Sequence, residues 1–355
     1  MAGKIILGDS DYDFSSVARL QKSGQYPEFQ AAFDFILEWQ SGKSSFELFT
    51  SGSTGKPKAI AISRNQMIAS AKRTISTLKL ENGISALMCM NPSFIGGKMM
   101  IVRAMEFNWD LTMLAPSNNP AQHLVKDSRF SFMALVPMQL ENMIDDESGI
   151  QILNQTESII VGGAPVNTAL RDKLNSITAK VYNTYGMTET ISHIALMRLN
   201  GPNASEEFEI LEGIEVATDD RNCLKIKGDV TNNAWIQTND VVELKGQQFK
   251  WLGRADFVIN SGGIKIHLDQ LEKQISDILK TEAVLLKIKD TSLGESYALV
   301  LKDETEELVR DIQVTLKYAL PKYYSPKVIY KVEKFLRTES GKIDRSGIKA
   351  QLGLD

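Results

Sequence analysis

Thr50-Ser51-Gly52-Ser53-Thr54-Gly55-Lys56-Pro57-Lys58 is the most informative stretch of this 355-residue chain. Its two glycines let backbone amides approach a phosphate closely, its hydroxyls can donate, and its two lysines carry charge. The same residue types also make ordinary solvated turns, so the segment alone leaves both readings open. It is not a Walker A loop. That motif places four residues between Gly and Gly-Lys and then Ser or Thr, whereas here two intervene and Pro57 follows Lys56. A Walker loop also opens a helix, while the flanks here, Phe46–Thr50 and Lys58–Ile62, both read as strands. No G-x-G-x-x-G occurs, which removes the main support for a dinucleotide-binding dehydrogenase.

Away from this loop the pattern alternates. Upstream, residues 28–40 space their apolar side chains as a helix does. Downstream, short apolar strands at Ile84–Met90, Ser131–Val136, Ser158–Val161 and Lys180–Thr184 alternate with helical segments. That alternation predicts an α/β architecture with a largely parallel sheet. From Ile226 to Leu252 the pattern changes to short strands between polar turns, as in a small β subdomain, and beyond Gly253-Arg254 to a compact α+β pattern ending at Asp355. The expected fold is a large N-terminal α/β domain of sheet layers with a small β subdomain, residues 1–253, and a small mobile α+β C-terminal domain, residues 254–355.

Composition narrows the partners. The chain is 43% hydrophobic and 24% charged, ordinary for a globular protein, and its net charge of -4 gives no electrostatic case for nucleic acid or an anionic membrane. Cys89 and Cys223 form no CxxC, so neither a disulfide framework nor a zinc site is expected. The opening residues meet Gly8, Asp9, Asp11 and Asp13 where a signal peptide keeps an apolar core. No apolar run approaches the ~20 residues of a membrane-spanning helix. A soluble, cytoplasmic protein acting on small molecules is the expectation.

Thr50–Lys58 matches throughout the phosphate-loop signature of the adenylate-forming enzymes, Ser/Thr-Ser-Gly-Ser/Thr-Thr-Gly-x-Pro-Lys, and the chain resembles that family (acyl-CoA synthetases, peptide-synthetase adenylation domains, luciferases) from there to Arg345. The resemblance implies that Thr50, Ser51, Gly52, Ser53, Thr54, Gly55 and Lys58 hold the phosphates of ATP. Tyr185-Gly186-Met187-Thr188-Glu189 matches the family's Y-G-x-T-E. It implies that Tyr185 and Gly186 lie by the adenine, Thr188 contacts the α-phosphate, and Glu189 helps hold Mg²⁺, a hard cation that prefers carboxylate oxygen. Thr238-Asn239-Asp240 stands where the family has T-G-D, and the resemblance makes Asp240 the acceptor for the ribose hydroxyls. Asn239 replaces a glycine, tolerable because Asn accepts a positive φ.

Gly253-Arg254-Ala255-Asp256 matches the family's G-R-x-D hinge, with Phe257 in place of the polar residue that usually follows. By resemblance Arg254 reaches the ribose or phosphate, Asp256 is the pivot of the C-terminal domain, and the Gly262-Gly263 loop lines the channel for coenzyme A. Arg337-Thr338-Glu339-Ser340-Gly341-Lys342-Ile343-Asp344-Arg345 matches the C-terminal loop, with Lys342 as the catalytic lysine that neutralises charge on the α-phosphate. Taken singly, each segment has an ordinary reading: a helix cap, a turn, a Gly-rich bend, a solvated lysine. Their order along one chain is what separates them from those readings.

Three further segments look like one branch of the family, the ligases that join o-succinylbenzoate to coenzyme A in menaquinone biosynthesis. They are Val136-Pro137-Met138-Gln139-Leu140, Val161-Gly162-Gly163-Ala164-Pro165 and Asn91-Pro92-Ser93-Phe94-Ile95-Gly96-Gly97. The likeness implies that Gly163 and Ala164 lie along the nucleotide and that Phe94, Gly96 and Gly97 line the acyl site. Ile95 replaces the branch's usual His, and Glu141 and Asn142 stand where an Arg often follows. A substrate that keeps a second carboxylate after activation calls for a cation or donors in the pocket. Lys98, Arg103, His193 and Arg198 are the candidates, with Arg103 and His193 better placed in the sequence; a surface or helix-face role is open for each.

The loop begins at residue 50, so the family's long N-terminal subdomain is expected to be largely absent, with a homodimer covering what that exposes. The chemistry implied is adenylation of a carboxylate by ATP and transfer to coenzyme A. The rivals are a ligase for another aryl or medium-chain acid, a carrier-loading adenylation enzyme, and a nucleotide-binding regulator that has lost catalysis; intact Glu189, Asp240 and Lys342 argue against the last.

Overall fold

The computed structural model describes residues 3–50, 58–303, 309–338 and 342–354. The glycine-rich segment is flanked by Ser45–Thr50 and Lys58–Ser63, an antiparallel pair forming a sheet of its own, in register from Ser45↔Ser63 to Thr50↔Lys58. Phe46, Leu48 and Ile62 are buried, as the two-residue period of a strand requires when one face meets a core. Phe46 stacks on Trp39 of the helix Gln30–Gln40, their ring centroids 5.5 Å apart. Ser63 then starts the helix Arg64–Leu78 with a capping box: its hydroxyl accepts from the Gln66 amide at 3.2 Å while Gln66 accepts from its amide at 2.8 Å.

Among the described residues the largest sheet has 13 strands. Six run parallel, in the spatial order Lys4–Leu7, Asp110–Met113, Ser85–Met88, Phe132–Leu135, Ser158–Val161, Lys180–Gly186. Phe132–Leu135 and Ser158–Val161 are buried at every position, the mark of strands covered by helices on both faces. The chain passes from Ser85–Met88 outward to Asp110–Met113, then returns across it to Phe132–Leu135 and continues the other way. The strand order therefore reverses between Ser85–Met88 and Phe132–Leu135, and a crevice at the carboxyl ends of such strands is where open α/β sheets bind ligands.

The sheet is less parallel than the alternation of elements predicts. After Gly186 the connections become too short for helical crossovers, and each strand turns back beside its neighbour. His193–Arg198 pairs antiparallel with Lys180–Gly186, and the sheet continues through Phe208–Ile210, Gln248–Arg254, Ile236–Lys245, Cys223–Gly228 and Ile214–Thr218. The small β subdomain is thus joined edge to edge to the α/β sheet instead of forming a separate layer.

Past Arg254, among the described residues, a second sheet has five strands: Val258–Ser261, Ile264–His267, Val284–Asp290, Gly294–Lys302 and Val328–Val332. Its central strand divides its side chains by parity. Tyr297, Leu299 and Leu301 pack with Leu271 and Ile275 of the helix Leu268–Leu279 and with Ile312 and Leu316 of Val309–Ala319. Val300 faces the other way, onto Val332, Phe335 and Ile348 of the helix Arg345–Gln351. A separate, larger cluster runs from Ile5 to Phe249. Cys89 and Cys223 are free and buried. Among the described residues no helix is long and apolar enough to cross a membrane.

Candidate active site

The loops that follow Met88, Leu135, Val161 and Gly186 leave the same edge of the parallel strands, beside the point where strand order reverses. One side chain ties that edge together. Gln139 is buried, and its Nε2 donates to the Cys89 carbonyl at 3.1 Å and the Ser117 carbonyl at 2.9 Å, while its Oε1 accepts from the Val136 amide at 3.1 Å. Those three groups follow three neighbouring strands, so the Val136–Leu140 segment acts here as a staple. Helix Ile95–Glu106 enters the crevice from Phe94, its N-cap. Gly97 has no room for a side chain: an added Cβ would lie 2.7 Å from the Asn91 carbonyl oxygen. Gly96 packs against the Met90 side chain, and the Gly162–Ala164 turn passes over Val136.

Tyr185 and Asp240 meet at the mouth of the sheet. The Tyr185 hydroxyl donates to Asp240 Oδ2 at 2.7 Å, and its ring packs edge-on against Phe208 and Phe249. Burial, reinforced by the Asp240 charge, holds the phenol neutral far above the ordinary tyrosine range. Asp240 Oδ1 accepts from the Trp251 indole at 3.2 Å and lies 3.8 Å from Arg254 Nη1. Thr238 fixes the approach, since its hydroxyl accepts from the Asp240 amide at 3.0 Å and donates to the Leu224 carbonyl. Asn239 needs no left-handed backbone: it lies within the strand Ile236–Lys245, outside the positive-φ residues, and its side chain reaches Asp256 at 3.4 Å. The glycine replacement is therefore accommodated by extended backbone and not by a tolerated positive φ.

Arg254 forks onto Asp256 with contacts of 2.9 and 2.6 Å, and its amide donates to Asp269 Oδ2 at 2.7 Å. Gln270 donates to the Leu252 carbonyl, so the start of helix Leu268–Leu279 is pinned to the strand that ends at Arg254. Gly262 and Gly263, at φ 58° and 87°, form the two-residue turn between Val258–Ser261 and Ile264–His267, a turn that needs positive φ at both positions. Thr188, Glu189 and Thr190 form a single 3-10 turn directly after the strand carrying Tyr185. Lys342 is exposed; its carbonyl accepts from the Thr338 amide at 2.8 Å beside the Arg337↔Ile343 bridge. Thr50 and Lys58 are described as backbone alone, and Ser51, Gly52, Ser53, Thr54 and Gly55 lie outside the described residues.

Of the four candidates for a cationic acyl site, the structure brings two together. Arg103 and His193 are both buried and share Thr74: Arg103 Nη2 and His193 Nε2 each lie 3.1 Å from its hydroxyl. His193 supplies no charge, because burial first, and then the Arg103 and Arg73 charges, hold its ring neutral. Lys98 is drawn instead over the Phe35 ring, 4.6 Å from its centroid, and Arg198 lies on Tyr182 and donates to the Asn200 carbonyl. Sequence reasoning missed Trp251, Thr74 and Ser192. The period-two pattern that puts Trp251 in register with Val242 was available; nothing local signals the other two.

The profile of the AMP-binding enzyme family matches residues 19–212. The chain belongs to this family. An AMP-forming acyl-CoA synthetase/AMP-acid ligase II-like protein from Dyadobacter fermentans is 40% identical, with a TM-score of 0.64 over 94% of this chain and 98% of that one. A 2-succinylbenzoate–CoA ligase from Staphylococcus epidermidis is 26% identical over 330 residues, 86% of this chain and 69% of the relative. The o-succinylbenzoate CoA synthetase of Bacillus subtilis, solved with its acyl-adenylate intermediate, has the same fold at 20% identity, with a TM-score of 0.72 over 85% of this chain and 68% of that one. For an AMP-binding enzyme the lone carboxylate of Glu189 fits the habit of Mg²⁺, which takes one or two carboxylates and leaves its other positions to phosphate and water. No cluster of three metal-ligating side chains occurs among the described residues.

Proposed function

We propose that the protein is an AMP-forming acid–thiol ligase. A carboxylate attacks the α-phosphate of ATP, pyrophosphate leaves, and the thiol of coenzyme A then displaces AMP from the acyl-adenylate to give a thioester. The observation that carries the reading is Asp240. A buried carboxylate is held by Tyr185, Trp251 and Arg254 at the rim of the crevice, and two of its roughly four acceptor sites remain for a ligand. Vicinal ribose hydroxyls match that pair. Around it, the Thr50–Lys58 loop and Thr188 hold phosphates, and Tyr185, Gly186, Gly163 and Ala164 flank the adenosine. Glu189 would hold Mg²⁺, which would supply charge to screen the phosphates. Lys342 meets the charge that develops on the α-phosphate as the carboxylate attacks.

The chain divides at 253/254, with Asp256 as pivot. The C-terminal unit presents Lys342 for adenylation and the Gly262-Gly263 turn for thioester formation. The clamp of Arg254 on Asp256 supports that hinge.

The acid favoured by the curated relatives is o-succinylbenzoate, which would place the enzyme in menaquinone synthesis. The Dyadobacter likeness, at 40% identity, supports only the broader acyl-CoA synthetase reading, so another aryl or acyl acid stands as the second. Carboxylate-dependent exchange of labelled pyrophosphate into ATP tests both, using o-succinylbenzoate beside benzoates and fatty acids. Preference for o-succinylbenzoate supports the finer reading and preference for another acid removes it. Absence of exchange with every acid refutes the ligase.

A further inference from the structure

Phe257 stands where the hinge segment usually carries a polar residue, and its ring is covered by an arginine from the far end of the chain. The Arg345 guanidinium lies over it, 4.6 Å from the centroid, while Arg345 Nη2 bridges both carboxylate oxygens of Glu272 at 2.7 and 2.8 Å. Glu272 belongs to the helix Leu268–Leu279 and also accepts from the Leu285 amide at 2.7 Å. Phe257 itself packs on the cluster that joins this helix to Tyr297, Leu299 and Leu301. Arginine suits the place because its planar group can stack on a ring and bond a carboxylate at the same time.

The turn at the pivot is fastened from the same body. Lys287, in the strand Val284–Asp290, donates from Nζ to the Asp256 carbonyl at 2.8 Å and to the Val258 carbonyl at 2.6 Å, one on each side of Phe257. Phe257 therefore belongs to the C-terminal unit, and rotation about Asp256 carries it along.

Arg345 also closes the arm that bears Lys342. Residues 336–338 and 342–344 run antiparallel: the Thr338 amide donates to the Lys342 carbonyl at 2.8 Å, Arg337 and Ile343 form a bridge, and the Asp344 amide donates to the Leu336 carbonyl at 2.9 Å. Leu336 and Ile343 pack on the cluster of Val332, Phe335 and Ile348. Each side of the arm ends in an anchored arginine. Arg337 pairs with Glu282 at 2.7 Å, and Arg345 holds Glu272 and Phe257. A pair of anchors fixes direction as well as position, and the second rests on the residue next to the pivot.

We propose that Arg345 is a positioning residue for adenylation: seated on Phe257 and Glu272, it fixes the Lys342 arm to the pivot turn and so aims the Lys342 ammonium at the α-phosphate. The inference rests on the ligase reading and adds how the arm is aimed. Lys342 meets charge that exists only in the transition state, so a misdirected arm lowers kcat and leaves ATP affinity alone.

The test compares Arg345→Lys, Arg345→Gln and Phe257→Leu with wild type, using o-succinylbenzoate or whichever acid of the panel supports exchange. Pyrophosphate exchange reads adenylation. Rapid mixing of coenzyme A with enzyme carrying preformed acyl-adenylate reads thioester formation, the step served by the Gly262-Gly263 turn. Exchange should fall about tenfold in Arg345→Lys and Phe257→Leu and about 30- to 100-fold in Arg345→Gln, since a displacement of about 1 Å can cost about 10²-fold. The loss should lie in kcat, with KM for ATP and the thioester step each within about twofold of wild type. In a Lys342→Ala background, Arg345→Lys should cost nothing further, because no charge is left to aim. Equal loss in both half-reactions, or a further loss on top of Lys342→Ala, would assign Arg345 to the fold of the C-terminal unit and overturn the proposal, as would exchange at the wild-type rate. Arg345→Lys and Phe257→Leu, the milder changes, decide the matter should Arg345→Gln not fold. No exchange with any acid in the wild type removes the ligase reading itself.

Discussion

Replacing Asp240 by Ala separates what this carboxylate does for the fold from what it does for a nucleotide. In the fold it accepts from the Tyr185 hydroxyl at 2.7 Å and the Trp251 indole at 3.2 Å, both partly buried. Leaving two such donors without an acceptor costs about 1–2 kcal/mol each, so stability should fall by about 2–4 kcal/mol. Arg254 is spared, because it keeps its fork on Asp256. For the nucleotide, the two acceptor sites still open on the carboxylate would take two ribose hydroxyls at about 1.5–3 kcal/mol each for charged hydrogen bonds. At about 1.4 kcal/mol per factor of ten, KM for ATP should rise about 10²–10³-fold after allowance for partial solvation. The assay is pyrophosphate exchange with ATP and with 2′,3′-dideoxy-ATP, in wild type and variant, below the melting temperature of both. The substitution should penalise ATP heavily and the dideoxy nucleotide little. An equal penalty on both would show that Asp240 acts through Tyr185 and Trp251 alone, and the ribose assignment would fall.

Three further outcomes follow from the same structure. Gln139→Leu keeps the volume but orphans two buried carbonyls and the Val136 amide, and urea unfolding should show a loss of about 3 kcal/mol. Lys342→Ala should cut pyrophosphate exchange by about 10²–10³-fold, and its exposed position predicts a melting temperature within about a degree of wild type; a change confined to stability would end its catalytic assignment. Burial, ahead of the opposing Arg254 amide bond, raises Asp269 from 3.8 to about 6. Between those values the unfolded chain has released a proton that the folded chain retains, so stability falls as pH rises from about 4 to about 6 and stays lower above. Asp269→Asn should therefore equal wild type in melting near pH 4 and exceed it by about 1–3 kcal/mol at pH 7.5; parallel pH profiles would contradict this.

The fold was legible where periodicity is strong. Ser158–Val161 falls where its apolar run predicts, and Ser85–Met88 and Phe132–Leu135 lie within one or two residues of theirs. What could not be read was pairing. Nothing in Phe208–Ile210 says that it joins the antiparallel strands to the parallel ones, because strand order is set by packing between distant segments. In the site, Tyr185 and Asp240 were named from separate motifs 55 residues apart, and the structure brings them into one hydrogen bond. Lys98 and Arg198 were the less well placed of the four candidate residues, and each lies against an aromatic ring, since a long cationic side chain takes whatever face its helix or strand offers. Ser192 and Thr74 left no trace in the sequence, because a γ-turn at an isoleucine contradicts local preference and exists only where tertiary contacts impose it.

The central claim is that a carboxylate oxygen becomes bonded to the α-phosphorus of ATP, and oxygen labelling tests it most directly. An acid carrying ¹⁸O in both carboxylate oxygens is turned over with ATP, Mg²⁺ and coenzyme A, and the nucleotide product is analysed by mass. An acyl-adenylate broken by thiol attack at carbon leaves one labelled oxygen on AMP for each thioester formed. Unlabelled AMP, or ADP with the label in inorganic phosphate, would contradict the account.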